Sequence, residues 1–272
     1  MRLDLHLHST CSDGALAPAA VVAAAQRGGL GMIALADHDT GAGIAPARAA
    51  AAALGGVGVL AAMELTCRRG DAELHLLGYG FRPGDPELAA LVAAGAAARR
   101  ERMLAMVERL RTLGVELDPS AVTGEAGCVS IGRMHLARAL VRHRRAGSVA
   151  DAFARYIGDG GPAWVPSGGP AVADAIAAVA GAGGVAVWAH PSLEDAGHVP
   201  ALAEQGLGGV EALRPSLDPH TSVVLEQAAR AAGLVVTGGS DWHGAPHPAL
   251  GAWYVTERHV GPFLERLGVV VP

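Results

Sequence analysis

The chain contains no lysine and only three cysteines, Cys11, Cys67 and Cys128, among its 272 residues. Cysteines that are few, odd in number and widely spaced do not indicate a disulfide scaffold or a paired zinc knuckle. Charged residues are also scarce, at 17%, whereas hydrophobic residues make up 51%, and this balance excludes a disordered chain. The sequence therefore predicts a protein with a sizeable core, and a reducing cytoplasm is the simplest compartment for it.

An excess of positive charge and a long apolar segment are missing as well. The 21 basic and 26 acidic residues give a net charge of −5, and an acidic chain is poorly suited to non-specific binding of duplex nucleic acid. The first residues, MRLDLHLHSTCSDG, have no apolar segment of the signal-peptide type. The longest apolar stretch, Ala175–Ala189, is too short to cross a bilayer. We expect no membrane insertion, no stable duplex binding and no obligate protein partner.

Short apolar segments alternate with longer alanine-rich segments along most of the chain. The predicted strands are Arg2–Leu7, Gly31–Ala36, Val57–Leu65, Glu73–Tyr79, Val185–Ala189, Gly209–Leu213 and Leu234–Thr237. The predicted helices between them are Pro18–Arg27, Ile44–Leu54, Ala171–Ala182 and Ser222–Ala232. Strands that alternate with helices predict an α/β protein of βα units with a parallel sheet or barrel.

The middle of the chain breaks this alternation. Residues 86–157 show helical patterns and no convincing strand. The three helical patterns are Glu87–Leu113, Gly132–Arg145 and Ser148–Ile157. We interpret this region as a helical insertion, or cap, over an α/β body formed by residues 1–85 and 158–272.

Titratable side chains collect where the predicted strands end. His6 and His8 are two apart in a strand, so both point to one side and could bind one metal ion. A hydrogen-bonded histidine pair would explain that motif alone equally well. The positions at the carboxyl ends of predicted strands are His6, His8, His38, Glu64, His190, Asp241 and His243. Two more candidates have ordinary explanations when taken alone, because Asp13 lies in a turn and His75 lies on an apolar strand.

A purely structural role does not readily explain all of these positions together. Functional sites in parallel α/β folds are built at the carboxyl ends of the strands. Imidazole and carboxylate groups without thiolate suit Zn, Mn or Fe, and there are too many ligands for one ion. Two or three divalent ions that share a carboxylate would account for them, and such clusters promote in-line displacement at phosphorus.

The motifs DLHLHSTCSDG, ADHD, the Glu64 strand, HLLGYG, AHP and GSDWHG occur in this order over nearly the whole chain. They resemble the polymerase-and-histidinol-phosphatase (PHP) family of metal-dependent phosphoesterases. The resemblance implies a distorted (β/α)7 barrel with a helical insertion and with metal ions at the carboxyl ends of its strands. The ligands it implies for the first ion are His6, His8, Glu64 and Asp241. Glu64 would bridge to a second ion held by His75 and His190, and a third would be held by Asp13, His38 and His243.

The insertion resembles the subgroup of this family that cleaves nucleotide phosphates, which includes bisphosphonucleotide phosphatases and 5′-3′ exoribonucleases. That subgroup has an Arg-x-His at the start of an insertion helix, matched by Arg133 and His135, which would bind the substrate phosphate. A helix amino terminus and an arginine side chain both favour phosphate. The chain has Gly132, and Gly160 or Gly161, where members of the subgroup often carry Ser and Lys. These departures put the bisphosphate preference in doubt.

The resulting hypothesis is a phosphoesterase that hydrolyses AMP, 3′,5′-bisphosphonucleotides or short 5′-phosphorylated oligonucleotides. A metal-bridging hydroxide would attack phosphorus, and Asp37 or His243 could assist proton transfer to the leaving oxygen. The alternatives are a histidinol-phosphatase-like enzyme and a non-catalytic, metal-holding partner module. Hydrolysis of C–N bonds by related amidohydrolases usually needs a carbamylated lysine, and a chain without lysine must use Glu64 or solvent as the bridge.

Overall fold

The computed structural model describes residues 1–124, 128–245 and 247–269. In these residues eight strands form one sheet. The strands are β1 (Arg2–Leu7), β2 (Met32–Leu35), β3 (Gly58–Arg69), β4 (Ala72–Tyr79), β5 (Val185–Trp188), β6 (Gly209–Leu213), β7 (Val235–Gly238) and β8 (Val255–Thr256). All seven predicted strands are present, and the short β8 is an addition that the sequence pattern did not predict.

The sheet has the order β7-β6-β5-β4-β3-β2-β1-β8 and mixed strand directions. The β1, β2 and β3 strands are parallel to one another, as are β5, β6 and β7. The expectation of an all-parallel sheet is wrong at β4, which pairs antiparallel with both β3 and β5. The physical reason is a two-residue hairpin between Arg69 and Ala72, where Gly70 takes a φ of +60° that few other residues tolerate.

The sheet nearly closes into a barrel through the segment that follows β7. The His8 N–H donates to the Trp242 carbonyl oxygen at 3.0 Å, and Leu7 pairs with Trp242 in a parallel bridge. Gly239 permits this approach, because a Cβ atom at that position would lie 2.2 Å from the Cβ of His6. The predicted α/β barrel is therefore confirmed, and its closure draws the end of β7 against β1.

Helices cover the strands and fill the middle of the chain. They are α1 (Pro18–Arg27), α2 (Ile44–Leu54), α3 (Pro86–Thr112), α4 (Ser120–Thr123), α5 (Arg133–Arg142), α6 (Val149–Ala152), α7 (Val172–Gly181), α8 (Val199–Glu204), α9 (Pro219–Ala231) and α10 (Glu257–Arg266). A π-helix, Phe153–Ile157, continues α6, and a 3₁₀ turn, Glu194–His198, precedes α8. No helix in the described residues is both long and apolar enough to span a membrane.

The barrel helices are placed by buried aliphatic side chains on one face. In α1, Pro18 occupies the first turn, where its missing N–H costs nothing, and Val21, Val22 and Ala25 are buried. In α9, the carboxylate of Asp218 accepts the free N–H groups of the first turn, including that of Thr221 at 3.1 Å. These helices bury the outer faces of the strands, so the strand ends are left to carry polar groups.

Helices α3 to α6 share an apolar cluster of their own, which includes Met106, Leu110, Leu136 and Leu140. The long α3 begins where the Asp85 carboxylate accepts the Leu88 N–H. Two of its arginines reach across to the barrel. Arg99 pairs with Asp39 after β2, and Arg102 Nη1 lies 2.7 Å from Glu73 Oε2 on β4. These ion pairs hold α3 over the end of the barrel.

Candidate metal centre

One end of the barrel gathers all nine of the predicted ligand residues. Three come from within strands, namely His6 on β1, Glu64 on β3 and His75 on β4. The other six follow strand ends: His8 and Asp13 after β1, His38 after β2, His190 after β5, and Asp241 and His243 after β7.

The placement of Glu64 differs from the prediction that it ends a strand. The β3 strand continues to Arg69 because its second half pairs with β4. Glu64 nevertheless lies level with the end of β2, since the Glu64 N–H donates to the Asp37 carbonyl and the Asp39 N–H donates to the Glu64 carbonyl. Its position within β3 therefore puts its carboxylate at the centre of the strand ends.

Backbone strain is concentrated at this end of the barrel. Four non-glycine residues in the described part of the chain have φ in the left-handed region, and three of them are Asp39, His190 and Asp241. Such conformations cost about 1–3 kcal/mol each and persist where surrounding contacts enforce them. Here His190 and Asp241 contribute side chains to the cluster. The Asp39 carboxylate instead accepts the Thr66 N–H and pairs with Arg99.

The carboxylate of Glu64 is the centre of the cluster and is 1% exposed. Five imidazole rings place a nitrogen within 3.3 Å of its two oxygens, those of His6, His8, His38, His75 and His190. The contacts divide between the oxygens, because His75 and His190 approach Oε1 at 2.8 Å whereas the other three approach Oε2. A carboxylate that receives imidazoles on both oxygens is suited to bridge two cations.

Two further carboxylates extend the cluster. Asp241 Oδ1 lies 3.2 Å from His8 Nε2 and 3.4 Å from His6 Nε2. Asp13 Oδ1 lies 3.2 Å from His243 Nε2, and Asp13 Oδ2 lies 3.8 Å from His38 Nε2. The potential ligand atoms of three sets lie within 4.8 Å of one another: His6, His8, Glu64 and Asp241; His8, Asp13, His38 and His243; and His38, Glu64 and His75.

These donors fit divalent metal ions. Four buried polar atoms of the cluster have no well-directed hydrogen bond among the described residues, although each lies within 3.4 Å of a group that can carry the opposite charge; they are His8 Nε2, Asp13 Oδ1, His38 Nδ1 and His75 Nε2. Buried polar atoms are normally satisfied, so this arrangement fits atoms that bind a cation. His75 Nδ1 and His190 Nε2 lie 3.2 Å apart. Only nitrogen and oxygen donors converge here, which suits Zn, Mn or Fe.

The protonation equilibria of the cluster show how strongly it attracts positive charge. Burial raises the pKa of Glu64, but His38, His75 and His6 overcome this effect and hold the pKa well below its usual range. Burial likewise lowers the pKa of His8, but hydrogen bonds to Asp241 and Glu64 raise it to about 10. The carboxylates therefore stay ionised at neutral pH, which is the state in which they bind a metal.

A buried glutamate that the sequence reasoning missed supports two of the histidines. Glu211, on β6, is fully buried, and its Oε1 lies 2.9 Å from His6 Nδ1. Its Oε2 accepts the backbone N–H of His190 at 2.9 Å. Because Glu211 accepts a hydrogen bond from His6 Nδ1, the lone pair of His6 Nε2 faces Glu64 and Asp241 and is available to a metal ion. The available signal was a glutamate within the apolar strand GVEAL.

We expect Glu211→Gln to weaken metal retention about 10- to 100-fold, because ligand-orienting carboxylates contribute about that much to affinity. The amide keeps the size of the side chain and removes its charge. Bound metal measured after dialysis against graded chelator checks this result. Glu226→Gln, which removes the charge of a half-buried glutamate paired with Arg230 on α9, is the matched control and should retain the wild-type metal content. Unchanged metal retention in a folded Glu211→Gln protein would contradict the role given to Glu211.

Asp37 stabilises the loop that follows β1. It is 1% exposed, and its carboxylate accepts the Ser9 N–H at 2.7 Å, the Ser9 hydroxyl at 2.6 Å and the Ser12 hydroxyl at 2.7 Å. These bonds shape the loop after β1, which carries His8 and Asp13. The geometry thus gives no support to the prediction that Asp37 transfers a proton, because its oxygens are committed to the loop.

Two cavities meet at Arg133, the first residue of α5. The smaller one, of about 140 Å³, lies beside His38 and His75 and is lined by three arginines, Arg99, Arg102 and Arg133. Arg102 is buried, and its Nη2 has no hydrogen-bond partner in the described part of the chain. The larger cavity, of about 390 Å³, lies beside His75 and His190. An unpaired guanidinium N–H beside the cluster is suited to an anionic oxygen.

His135 does not lie where a phosphate could contact it. The side chain is buried, its Nδ1 accepts the Gly132 N–H at 3.0 Å, and its Nε2 lies 2.9 Å from the carbonyl oxygen of Ser12. Both ring nitrogens are thus used within the protein. The prediction that His135 binds phosphate finds no support in this geometry. His135 instead fixes the start of α5 against the loop after β1.

The structure gives a physical reason for the unexpected Gly132. A Cβ atom at this position would lie 2.9 Å from Arg99 Nη1. Glycine therefore leaves room for Arg99, which also pairs with Asp39 and with the hydroxyl of Thr66. Arg99 and Arg102 lie within the predicted helix Glu87–Leu113, and no local signal in the sequence showed that they face the barrel.

Comparisons with known proteins agree with the fold and the cluster. No family model matches the chain. It is 35% identical over 260 residues to the 3′,5′-nucleoside bisphosphate phosphatase of Chromobacterium violaceum, which covers 89% of this chain and 87% of that protein. It is 31% identical over 252 residues to the 5′-3′ exoribonuclease Rnm of Escherichia coli, covering 88% and 84% of the two chains.

A solved structure from Bifidobacterium adolescentis, described as a metal-dependent phosphoesterase, superposes on the chain with a TM-score of 0.87. The two sequences are 33% identical, and the match covers 99% of this chain and 96% of the other. A nearly closed α/β barrel with this cluster at one end defines a metal-dependent phosphoric ester hydrolase. The chain belongs to the PHP family of these enzymes, as its motifs predict.

Proposed function

We propose that the chain hydrolyses phosphate esters of nucleotides, with AMP, 3′,5′-bisphosphonucleotides and short 5′-phosphorylated oligonucleotides as candidate substrates. The observation that carries this proposal is the contact between the Glu64 cluster and the arginine-lined smaller cavity, which share His38 and His75. The names of the two relatives, a nucleoside bisphosphate phosphatase and an exoribonuclease, support a nucleotide as substrate.

The proposal includes two or three divalent ions, Mn, Fe or Zn. Their proposed ligands are His6, His8, Asp13, His38, Glu64, His75, His190, Asp241 and His243. The set His6, His8, Glu64 and Asp241 supports the first proposed ion. The other groupings differ in detail from those implied by the family, because His8 also lies near Asp13 and His38 also lies near Glu64. When bound, such ions neutralise phosphate charge and activate water at neutral pH.

The chain's own residues hold the substrate and the ligands. Arg133 Nη1 pairs with Asp159 and Nη2 lies 3.7 Å from Glu73 Oε1, so the N–H groups on Nε and Nη2 are those that can donate in parallel to two phosphate oxygens. Arg102, whose Nη2 has no hydrogen-bond partner among the described residues, adds positive charge to the same cavity. The free N–H groups at the start of α5 favour the same anion. His243 Nδ1 lies 2.8 Å from the backbone carbonyl of Asp241, which orients Nε2 toward Asp13. His243 is proposed either to bind an ion through Nε2 or to transfer a proton to the leaving oxygen from that atom, since one ring nitrogen cannot do both at once.

The test is phosphate release by the purified, Mn²⁺-loaded protein. The panel is AMP, 3′,5′-bisphosphoadenosine, a short 5′-phosphorylated RNA and histidinol phosphate. We expect release from at least one nucleotide and much less from histidinol phosphate. The Glu64→Ala variant excludes a contaminating phosphatase, because activity that belongs to this protein should disappear with it.

The other outcomes would replace the proposal. Release from histidinol phosphate alone would favour a histidinol-phosphatase-like enzyme. No release from any substrate, with metal shown to be bound, would favour a non-catalytic module that holds metal for a partner.

We also propose that residues 86–157 form a cap inserted into a barrel of residues 1–85 and 158–272. The separate apolar cluster of α3 to α6 supports this division. A cytoplasmic location is proposed as well, and three cysteines that are few, odd in number and widely spaced are in keeping with a reducing compartment.

A further inference from the structure

The larger cavity differs sharply in charge from the smaller one. Its charged lining residues are Arg69, Asp71, Glu73, Arg133, Asp159 and Asp195. Four carboxylates thus stand against two guanidinium groups, whereas the smaller cavity has three guanidinium groups against two carboxylates, those of Asp13 and Glu73. Arg133 lies on the boundary between the two cavities. The charge of the lining therefore favours a phosphate in the smaller cavity and disfavours one in the larger cavity.

Asp159 is the carboxylate best placed to act on the substrate. Its side chain is 82% exposed, and it forms an ion pair with Arg133 Nη1, on the same guanidinium group that faces the smaller cavity. The guanidinium also lies 5.8 Å from the centre of the Phe153 ring, which helps to hold it in place. Glu73 is less available, because Arg102 Nη1 binds its carboxylate at 2.7 Å.

The uncharged part of the wall fits a planar, neutral group. Trp164 and Trp188 both line the larger cavity, but Trp188 is 4% exposed and packs in the barrel core, so the half-buried Trp164 offers the indole surface. Indole rings stack on nucleic-acid bases without regard to their sequence. The volume, about 390 Å³, lies within the range of small-molecule sites.

On the basis of the proposed function, we propose that the larger cavity accepts the base and sugar of a nucleoside monophosphate, and that Asp159 disfavours a second phosphate there. The single phosphate lies in the smaller cavity, between the Glu64 cluster, Arg102 and Arg133. Asp159 is thus a specificity-determining residue, because its exposed carboxylate repels a further phosphate in the larger cavity. Bisphosphonucleotides and oligonucleotides should be poorer substrates than AMP.

The experiment measures kcat/KM of the metal-loaded protein for AMP and for 3′,5′-bisphosphoadenosine. We expect the wild-type protein to prefer AMP. Asp159→Asn should raise the bisphosphate-to-monophosphate ratio about threefold to tenfold, mainly through KM, and Asp159→Lys should raise it further. The effect should shrink at high salt, since Asp159 is exposed. Glu204→Gln removes a negative charge from exposed α8, away from this cavity, and should leave the ratio unchanged.

Two failures are distinguishable. If no variant releases phosphate from AMP or from 3′,5′-bisphosphoadenosine, the proposed activity on these nucleotides is wrong. If at least one of them is hydrolysed but the wild-type protein prefers the bisphosphate, or both Asp159 variants keep the wild-type ratio, then the inference about Asp159 is wrong and the nucleotide activity stands.

Discussion

Replacement of Glu64 by glutamine should lower phosphate release at least about a thousandfold, equivalent to about 4 kcal/mol of transition-state stabilisation. The amide preserves the size of the side chain, but it removes the charge that five imidazole rings surround. It also presents an NH₂ group, which cannot bind a cation, to one side of the cluster. The metal content of the purified protein should therefore fall together with its activity.

Metal analysis and phosphate release on the same preparation check this result. Glu226→Gln, in which a half-buried glutamate paired with Arg230 on α9 loses its charge, is the control and should match the wild-type protein in both measurements. A Glu64→Gln protein that is folded by circular dichroism and still retains full metal and activity would show that Glu64 does not bridge the ions. Loss of activity with full metal content would also contradict the role proposed for it.

Replacement of Arg133 by alanine should lower kcat/KM about a hundredfold, because a bidentate, charge-assisted contact to phosphate contributes about 3 kcal/mol. Arg133→Lys should recover only part of the loss, since an ammonium group cannot make two parallel N–H bonds. The metal content should stay at the wild-type level in both variants. The kinetic constants for AMP, with metal analysis alongside, test this prediction.

Arg138→Ala is the matched control, because Arg138 lies on the same helix and lines neither of the two cavities. It should keep the wild-type kcat/KM. Equal losses in Arg133→Ala and Arg138→Ala would point to disturbance of α5 rather than to a lost phosphate contact. Wild-type kinetics in Arg133→Ala would remove Arg133 from the substrate site.

The ligand candidates could be predicted because each belongs to a short motif beside a recognisable strand. His6 and His8 share a strand face, and Asp241 and His243 follow a strand in the same way. His75 needed the family resemblance, since one histidine on an apolar strand carries no signal of its own. The antiparallel strand β4 brings His75 to Glu64. It depends on a two-residue turn that the alternating pattern of strands and helices did not predict.

The sequence could not assign roles that depend on contacts between distant segments. Glu211 meets His6 across 205 positions, and Arg99 meets Asp39 across 60. The opposite case is His135. Its motif predicts phosphate binding, but its two ring nitrogens contact the backbone of Gly132 and Ser12. A side chain's neighbours follow from packing, and a local pattern cannot report them.

The sequence by itself determined the α/β class, most strands and helices, and seven of the nine residues that converge at one end of the barrel, whereas Asp13 and His75 needed the family resemblance. It did so because apolar periodicity fixes local structure and because polar groups at buried strand ends need partners. The tertiary structure alone decided that Glu64 is the centre, that Glu211 and Asp37 support it, and that Arg102 and Asp159 face opposite cavities at Arg133. These contacts form when the barrel closes and α3 packs over its end. They join segments that are far apart in the sequence, so no local pattern predicts them.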